Sequence, residues 1–511
     1  MEKVVTAVLG LAFTAILCNF YKGKRQLGWA PGMTVLFAPI SMIGPLLPES
    51  RLNPGLGWHW KRRNRVYQEY GSETISVVPL LHGRPFLYTS SLEVAAQILS
   101  AKAPFWKSKD FVAGVVQYGA NLFTTNGMEW RRHRRVMGPA FSNETYALVW
   151  SETSSIYHEM ATAEGWDDKS IVKIPVVNEL TNKAALMVLS RCAFGKPMPW
   201  NPTSDSFDVV EFGEALVTVS ETFIERLAIP RWAYKLPIAH IRKIEWAYTT
   251  LTRQIHELID ARRTDSDDGN PKYDVFSLLV QASEAEGKLA LSAEELVGNT
   301  FFLLFAGHET MSHIWNATLG FLALNPGVQD EMYEVIVGVA PGNAPLVCYE
   351  TLFHRTAHSE PLFHKSYSDS GKLHKVLSCF LEAGRLFPAG YLLMREATED
   401  VVLDIYDTDG QKSHLPLEQG ANVAIDLIGL HYNARHFPDP EEYRPSRWND
   451  IPESELSIFS VGPRACQYRQ FFVDYPLLFL TPAQVSAVSL LSQRLVAFCH
   501  TSYGTGKLNQ Y

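Results

Sequence analysis

Cys466 closes the segment Phe459-Ser460-Val461-Gly462-Pro463-Arg464-Ala465-Cys466, a Gly/Pro-rich loop with an arginine two residues before the sulfur. Cysteine chemistry runs through the thiolate, and neighbouring donors and cationic groups favour that form. Gly462 lets the backbone turn close to a bound group, and the planar fork of Arg464 suits a carboxylate. A free cysteine in an ordinary loop is the plainer alternative for these residues. A second cluster, Ala306-Gly307-His308-Glu309-Thr310, lies within the apolar run Glu295 to Leu324, which reads as one long helix. A glycine inside a helix costs roughly 1 kcal/mol relative to alanine. Gly307 therefore predicts a close approach or a locally widened turn. Glu309 and Thr310 bring a carboxyl and a hydroxyl together, groups suited to general acid/base work.

Two further pairs have helical spacing. Trp130 and Arg134, within Gly127-Met128-Glu129-Trp130-Arg131-Arg132-His133-Arg134-Arg135, lie four apart and share a helix face. A basic, solvated helix with a half-buried tryptophan would look the same. Glu382 and Arg385, within Phe380-Leu381-Glu382-Ala383-Gly384-Arg385-Leu386-Phe387-Pro388, lie three apart and are spaced for a charge-assisted pair. That spacing also recurs by chance.

Taken in order from Trp130 to Cys466, these segments resemble the motif set of the cytochromes P450, most closely fungal microsomal members, over roughly residues 30 to 466. The cysteine loop resembles F-x-x-G-x-R-x-C, the long helix A-G-x-[DE]-T, and the pair E-x-x-R. Met394-Arg395-Glu396-Ala397 resembles the family's propionate-contacting strand, and Tyr443-Arg444-Pro445-Ser446-Arg447-Trp448 places Arg447 beside the E-x-x-R pair. The resemblance implies that Cys466 is the axial ligand of haem b iron, where a thiolate promotes O–O cleavage. It implies a loop shaped by Phe459 and Gly462, propionates held by Trp130, Arg134, Arg395 and Arg464, and proton delivery by Glu309 and Thr310. Glu382, Arg385 and Arg447 become structural ion-pair residues. His308 falls at the motif's variable position and is not expected as a ligand.

The implied activity is a haem-thiolate monooxygenase. It would insert one atom of dioxygen into a small lipophilic substrate, a fungal secondary metabolite such as a terpenoid. Electrons would come from NADPH through NADPH–cytochrome P450 reductase, because no flavin or nicotinamide fingerprint occurs in the chain. Two other readings remain: a catalytically inactive haem-fold protein, and a haem-thiolate isomerase or peroxygenase, against which the Glu309–Thr310 pair argues.

The elements that must position these residues form a mainly α fold with a minor β-sheet, behind an N-terminal membrane anchor. Of the 511 residues, 46% are hydrophobic and 20% charged, a globular balance. The net charge of -8 argues against a nucleic-acid partner. The six cysteines are scattered, which fits a reducing compartment better than a disulfide framework. Val4 to Phe20 carries no charge and is followed by Lys22, Lys24 and Arg25. Its length is at the short end for a membrane span. The basic cluster follows the apolar run, so a signal-anchor is expected rather than a cleaved signal. That places the bulk of a single-pass chain in the cytosol, at the endoplasmic reticulum.

Residues 1–21 are thus expected as anchor, 22–58 as a Pro-containing linker, 59–466 as the catalytic domain and 467–511 as an atypical tail. Short β-type runs occur at Ile75 to Val78, Phe86 to Thr89 and Val401 to Ile405. Residues 336–370 read as a loop or irregular insertion. Phe111 to Thr125 is expected to line an apolar pocket.

The family pattern stops at the cysteine. Tyr468 stands where a glycine is expected, and Pro476 and Pro482 interrupt the following helix at about 3 kcal/mol or more each. A retained intron or frame slip in the gene would account for this departure, and transcript sequencing across the junction tests it.

Overall fold

The computed structural model describes residues 2–41, 43–113, 115–166, 174–201, 207–264, 273–285, 287–339, 374–452 and 457–469. Most of residues 336–370 and of the tail 467–511 therefore lie outside the described residues. The chain divides into two compact units.

The first unit comprises residues 1–111, 385–442 and 453–466 and holds the strands. These are β1 (Gly32–Phe37), β2 (Thr74–His82), β3 (Phe86–Thr89), β4 (Phe105–Trp106), β5 (Leu392–Ala397), β6 (Val401–Tyr406), β7 (Lys412–Leu417) and β8 (Asn422–Asp426). Six of them form one sheet in the order β1-β2-β3-β8-β5-β4, and β6 and β7 form a separate ribbon. The three β-type runs read from sequence fall in β2, β3 and β6. A turn carrying Gly83 at φ 105° joins β2 to β3, a conformation that suits glycine. The sheet packs its core around Val35, Trp58, Tyr67, Ile75, Tyr88 and Met394. At the end of β8 the buried carboxylate of Asp426 accepts hydrogen bonds from His59 Nδ1 and the Tyr67 hydroxyl, both at 2.9 Å, so its burial is compensated.

The segment expected as a linker contributes β1, which runs parallel to β2. Met33 and Val35 point inward with period two, but Pro31 and Pro39 mask that alternation in the sequence. The N-terminal helix spans Glu2–Gln26, longer than the apolar run alone. Its stretch Lys3–Gln26 is long enough, and apolar enough over an 18-residue window, to cross a membrane. The last turn docks on the sheet: Lys24 Nζ donates to the Ala30 carbonyl at 3.1 Å and to Ser76 Oγ at 3.0 Å.

The second unit, the described residues within 112–384 and 443–452 together with 467–469, holds the long helices. They include Asn143–Ala163, Val177–Val188, Phe207–Ala228, Ala239–Thr264 and Ala293–Leu324. The last has 32 residues and starts at a capping box, in which Ser292 Oγ accepts from the Glu295 amide while Glu295 Oε2 accepts from the Ser292 amide. Its apolar residues run all round, as expected of a helix inside a bundle. Helix Val177–Val188 packs along it, with Thr181 Oγ1 and Ser312 Oγ 3.0 Å apart.

Candidate active site

In the first unit, two 3-10 turns, Ser457–Phe459 and Gly462–Arg464, carry the chain to Cys466. The Cys466 amide donates to the Phe459 carbonyl at 2.8 Å and closes the loop. Phe459 is buried beneath it, while Cys466 keeps partial access. Gly462 has φ 74°, and a Cβ there would fall 2.5 Å from the Leu99 carbonyl oxygen, so both conformation and space demand glycine.

Cationic side chains gather in the same unit. Strand β4 pairs antiparallel with β5 through Phe105 opposite Ala397 and Trp106 opposite Glu396. Lys107 follows directly on β4, close enough to Arg395 and Arg464 to feel both charges. Arg395 donates to the Met394 carbonyl at 2.8 Å, and burial lowers its pKa to about 10. Arg464 is lowered to about 10 by burial and by the charge of Arg395. Lys107 is pushed well below its ordinary value, first by burial and then by Arg395 and Arg464. Three crowded cations favour a bound anion. Nothing in the sequence next to Lys107 points to Arg395 and Arg464; the fold brings these three cations together.

In the second unit, the helix Ala293–Leu324 carries the Glu-Thr pair. Thr310 Oγ1 donates to the Ala306 carbonyl at 2.5 Å. Glu309 touches solvent, yet the protein crowded around it, and then the charge of Glu221, raise its carboxyl pKa. The close approach expected at Gly307 is present. A Cβ there would lie 2.8 Å from Leu189 Cδ1 and 3.4 Å from the Tyr468 ring. His308 turns toward helix Val177–Val188, where its Nε2 lies 3.2 Å from the Asn182 carbonyl, and burial keeps the ring neutral. That is a packing role.

Trp130 and Arg134 sit half-buried on the helix Gly127–Met137. That helix is fixed to the long one through Arg132, which ion-pairs with Glu295 and donates to the Ala290 carbonyl at 3.0 Å. Asn299 ties in the preceding loop: its Oδ1 accepts from the Leu122 amide at 2.9 Å and its Nδ2 donates to His133 Nδ1 at 2.8 Å. This loop presents apolar rings to the long helix. Tyr118 stacks on Phe301 at 3.9 Å between centroids, and Phe123 on Phe302 at 5.5 Å.

Glu382 is fully buried. Its Oε1 accepts from Arg447 Nε at 2.8 Å and from the Arg444 amide at 3.0 Å, and its Oε2 from Trp448 Nε1 at 3.1 Å. Arg385, in the first unit, donates to the carbonyls of His431, Pro440 and Glu442 at 2.7, 2.9 and 3.1 Å. Its fork thus gathers backbone carbonyls, a use that the spacing of Glu382 and Arg385 does not reveal.

The sequence pattern of the family Cytochrome P450 matches residues 57–471. The chain belongs to the cytochrome P450 family. This P450 is 31% identical over 458 residues to cytochrome P450 monooxygenase 124 of Postia placenta, covering 88% of this chain and 84% of that protein. It is 24% identical over 528 residues to cytochrome P450 monooxygenase ORF6 of Penicillium roqueforti, covering 91% and 87%. It is also 27% identical over 356 residues to cyclooctatin synthase of Streptomyces melanosporofaciens, covering 68% of each. The chain is a P450 monooxygenase, and its family implies haem, a redox partner and a lipophilic substrate. The donor chemistry fits haem: a partly accessible cysteine in a glycine-turned loop suits iron, and a crowded set of cations suits two carboxylates. The family match ends at residue 471, and so takes in Cys466 and Tyr468.

Proposed function

We propose that this P450 binds haem b through Cys466 and oxidises a small lipophilic fungal secondary metabolite of terpenoid type. The observation that carries the reading is the closed loop ending in Cys466, in one unit with the crowded cations Arg395, Arg464 and Lys107. Bound haem supplies dioxygen activation and oxygen insertion. Cys466 would ligate iron as thiolate, and Arg395 and Arg464, with Trp130 and Arg134, would hold the propionates. Phe459 and Gly462 keep the loop in shape. The raised pKa of Glu309 lets its carboxyl hold a proton closer to neutral pH, and the adjacent Thr310 hydroxyl is the next carrier. Glu382, Arg385 and Arg447 hold scaffold. Tyr118, Phe123, Phe301 and Phe302 make an apolar wall suited to a lipophilic ligand.

Electrons would come from NADPH–cytochrome P450 reductase. The N-terminal helix would hold the enzyme in the endoplasmic reticulum membrane with its catalytic part cytosolic, since the basic residues follow the apolar run. The full chain, produced in microsomes with such a reductase, should give the strongly red-shifted Soret band of thiolate-ligated haem when reduced under carbon monoxide. Cys466→Ser should abolish that band. Metabolite profiling should show NADPH-dependent oxidation products. A wild-type chain without the red-shifted band would overturn the proposal in favour of an inactive haem-fold protein.

A further inference from the structure

The residues that follow Cys466, still within the family match, are not idle. Tyr468 follows Cys466 by two positions and is 3% exposed. Its hydroxyl donates to the Leu303 carbonyl at 3.2 Å, in the interior of the helix Ala293–Leu324. Its ring lies against Gly307, one turn further along, 3.4 Å from where a Cβ would stand. Phe141 meets the ring edge-to-face, with centroids 5.2 Å apart and planes at 85°. The missing side chain of Gly307 is therefore the notch that receives Tyr468. Two carbonyls of one helix segment gain side-chain donors, Leu303 from Tyr468 and Ala306 from Thr310, and such extra donors bend helices locally. The same segment carries Glu309.

We propose that Tyr468 is a positioning residue: ring in the Gly307 notch and hydroxyl on Leu303, it fastens the chain leaving the cysteine loop to the helix segment Leu303–Thr310 and sets that segment's shape. It takes over an anchoring task at a position where glycine is expected. A span of two residues reaches at most about 7 Å, so fastening Tyr468 also limits the freedom of the Cys466 sulfur. The inference rests on Cys466 as thiolate ligand, but its consequences for the helix do not.

The test uses the full chain with Tyr468→Phe and Tyr468→Gly, and two readouts. Amide hydrogen exchange is measured over Leu303–Thr310 in haem-free protein. Loss of the buried hydrogen bond in Tyr468→Phe should speed exchange there by about fivefold, and loss of the ring as well by more than about tenfold. The second readout is the reduced, CO-bound spectrum. Tyr468→Gly should move a large share of the haem from the red-shifted thiolate band to the shorter-wavelength band of thiol-ligated haem, and Tyr468→Phe should restore most of the thiolate signal. Unchanged exchange in both variants overturns the fastening. Altered exchange with an unchanged thiolate fraction overturns the effect on Cys466 alone. Wild type without a thiolate band overturns the haem reading, and hydrogen exchange still decides the fastening.

Discussion

At the scale of single residues, the site is set by where charge is concentrated and how it is matched. Arg395 and Arg464 are buried enough to bring their pKa values to about 10, and Lys107 is pushed down more steeply beside them. A pair of carboxylates would relieve that repulsion. Lys107→Met should therefore speed haem loss to an acceptor such as apomyoglobin by about tenfold, the equivalent of about 1.4 kcal/mol. Arg395→Leu should do so by more. An unaltered transfer rate in Lys107→Met would remove Lys107 from the site. Cys466, Gly462 and Arg464 were legible in the sequence because they sit within one turn of chain. Lys107 was not, because the arginines whose charges it feels are nearly three hundred residues or more away along the chain.

At the scale of elements, Glu382 shows what the E-x-x-R helix, His374–Leu386, holds together. Its carboxylate binds Arg447, Trp448 and the Arg444 amide in a fully buried setting. Removing its charge leaves the Arg447 guanidinium buried and uncompensated, a loss of about 3–5 kcal/mol. Glu382→Gln should lower the chemical unfolding midpoint accordingly, and adding Arg447→Met should cost less than the sum of the two changes. Additive losses would show that the pair is not coupled. β1 gives a contrasting lesson. Its strand character was hidden because parallel pairing with β2 carries no local turn signal, whereas the β2–β3 hairpin is announced by His82-Gly83-Arg84-Pro85.

At the scale of the whole molecule, stability depends on contacts between distant stretches, and one of these contacts is titratable. His431 is fully buried; its Nδ1–H donates to the Arg385 carbonyl at 3.0 Å. Burial, then the Arg385 charge, push its pKa down to about 3. Its folded value lies below the unfolded value of about 6.5. Between the two the unfolded chain binds the extra proton, so stability rises with pH. This contribution is full above about pH 6.5 and is lost as pH falls toward 3. Thermal melts should decline across that window, and His431→Asn should flatten the decline while lowering stability at pH 7. A wild-type curve with the same slope as the variant would exclude His431 as its source.

The sequence by itself determined the family and the apolar N-terminal helix, and it sets out the cysteine loop and the Glu309–Thr310 pair to which the proposed chemistry is assigned. Each is written in a contiguous run whose chemistry is local. Only the tertiary structure decided that Lys107 joins the arginines, that Arg385 gathers three carbonyls and that Tyr468 fills the Gly307 notch. Those neighbours are far apart along the chain. They meet through strand register and helix packing, which are selected by the summed free energy of many weak contacts and leave no mark in any short window of residues.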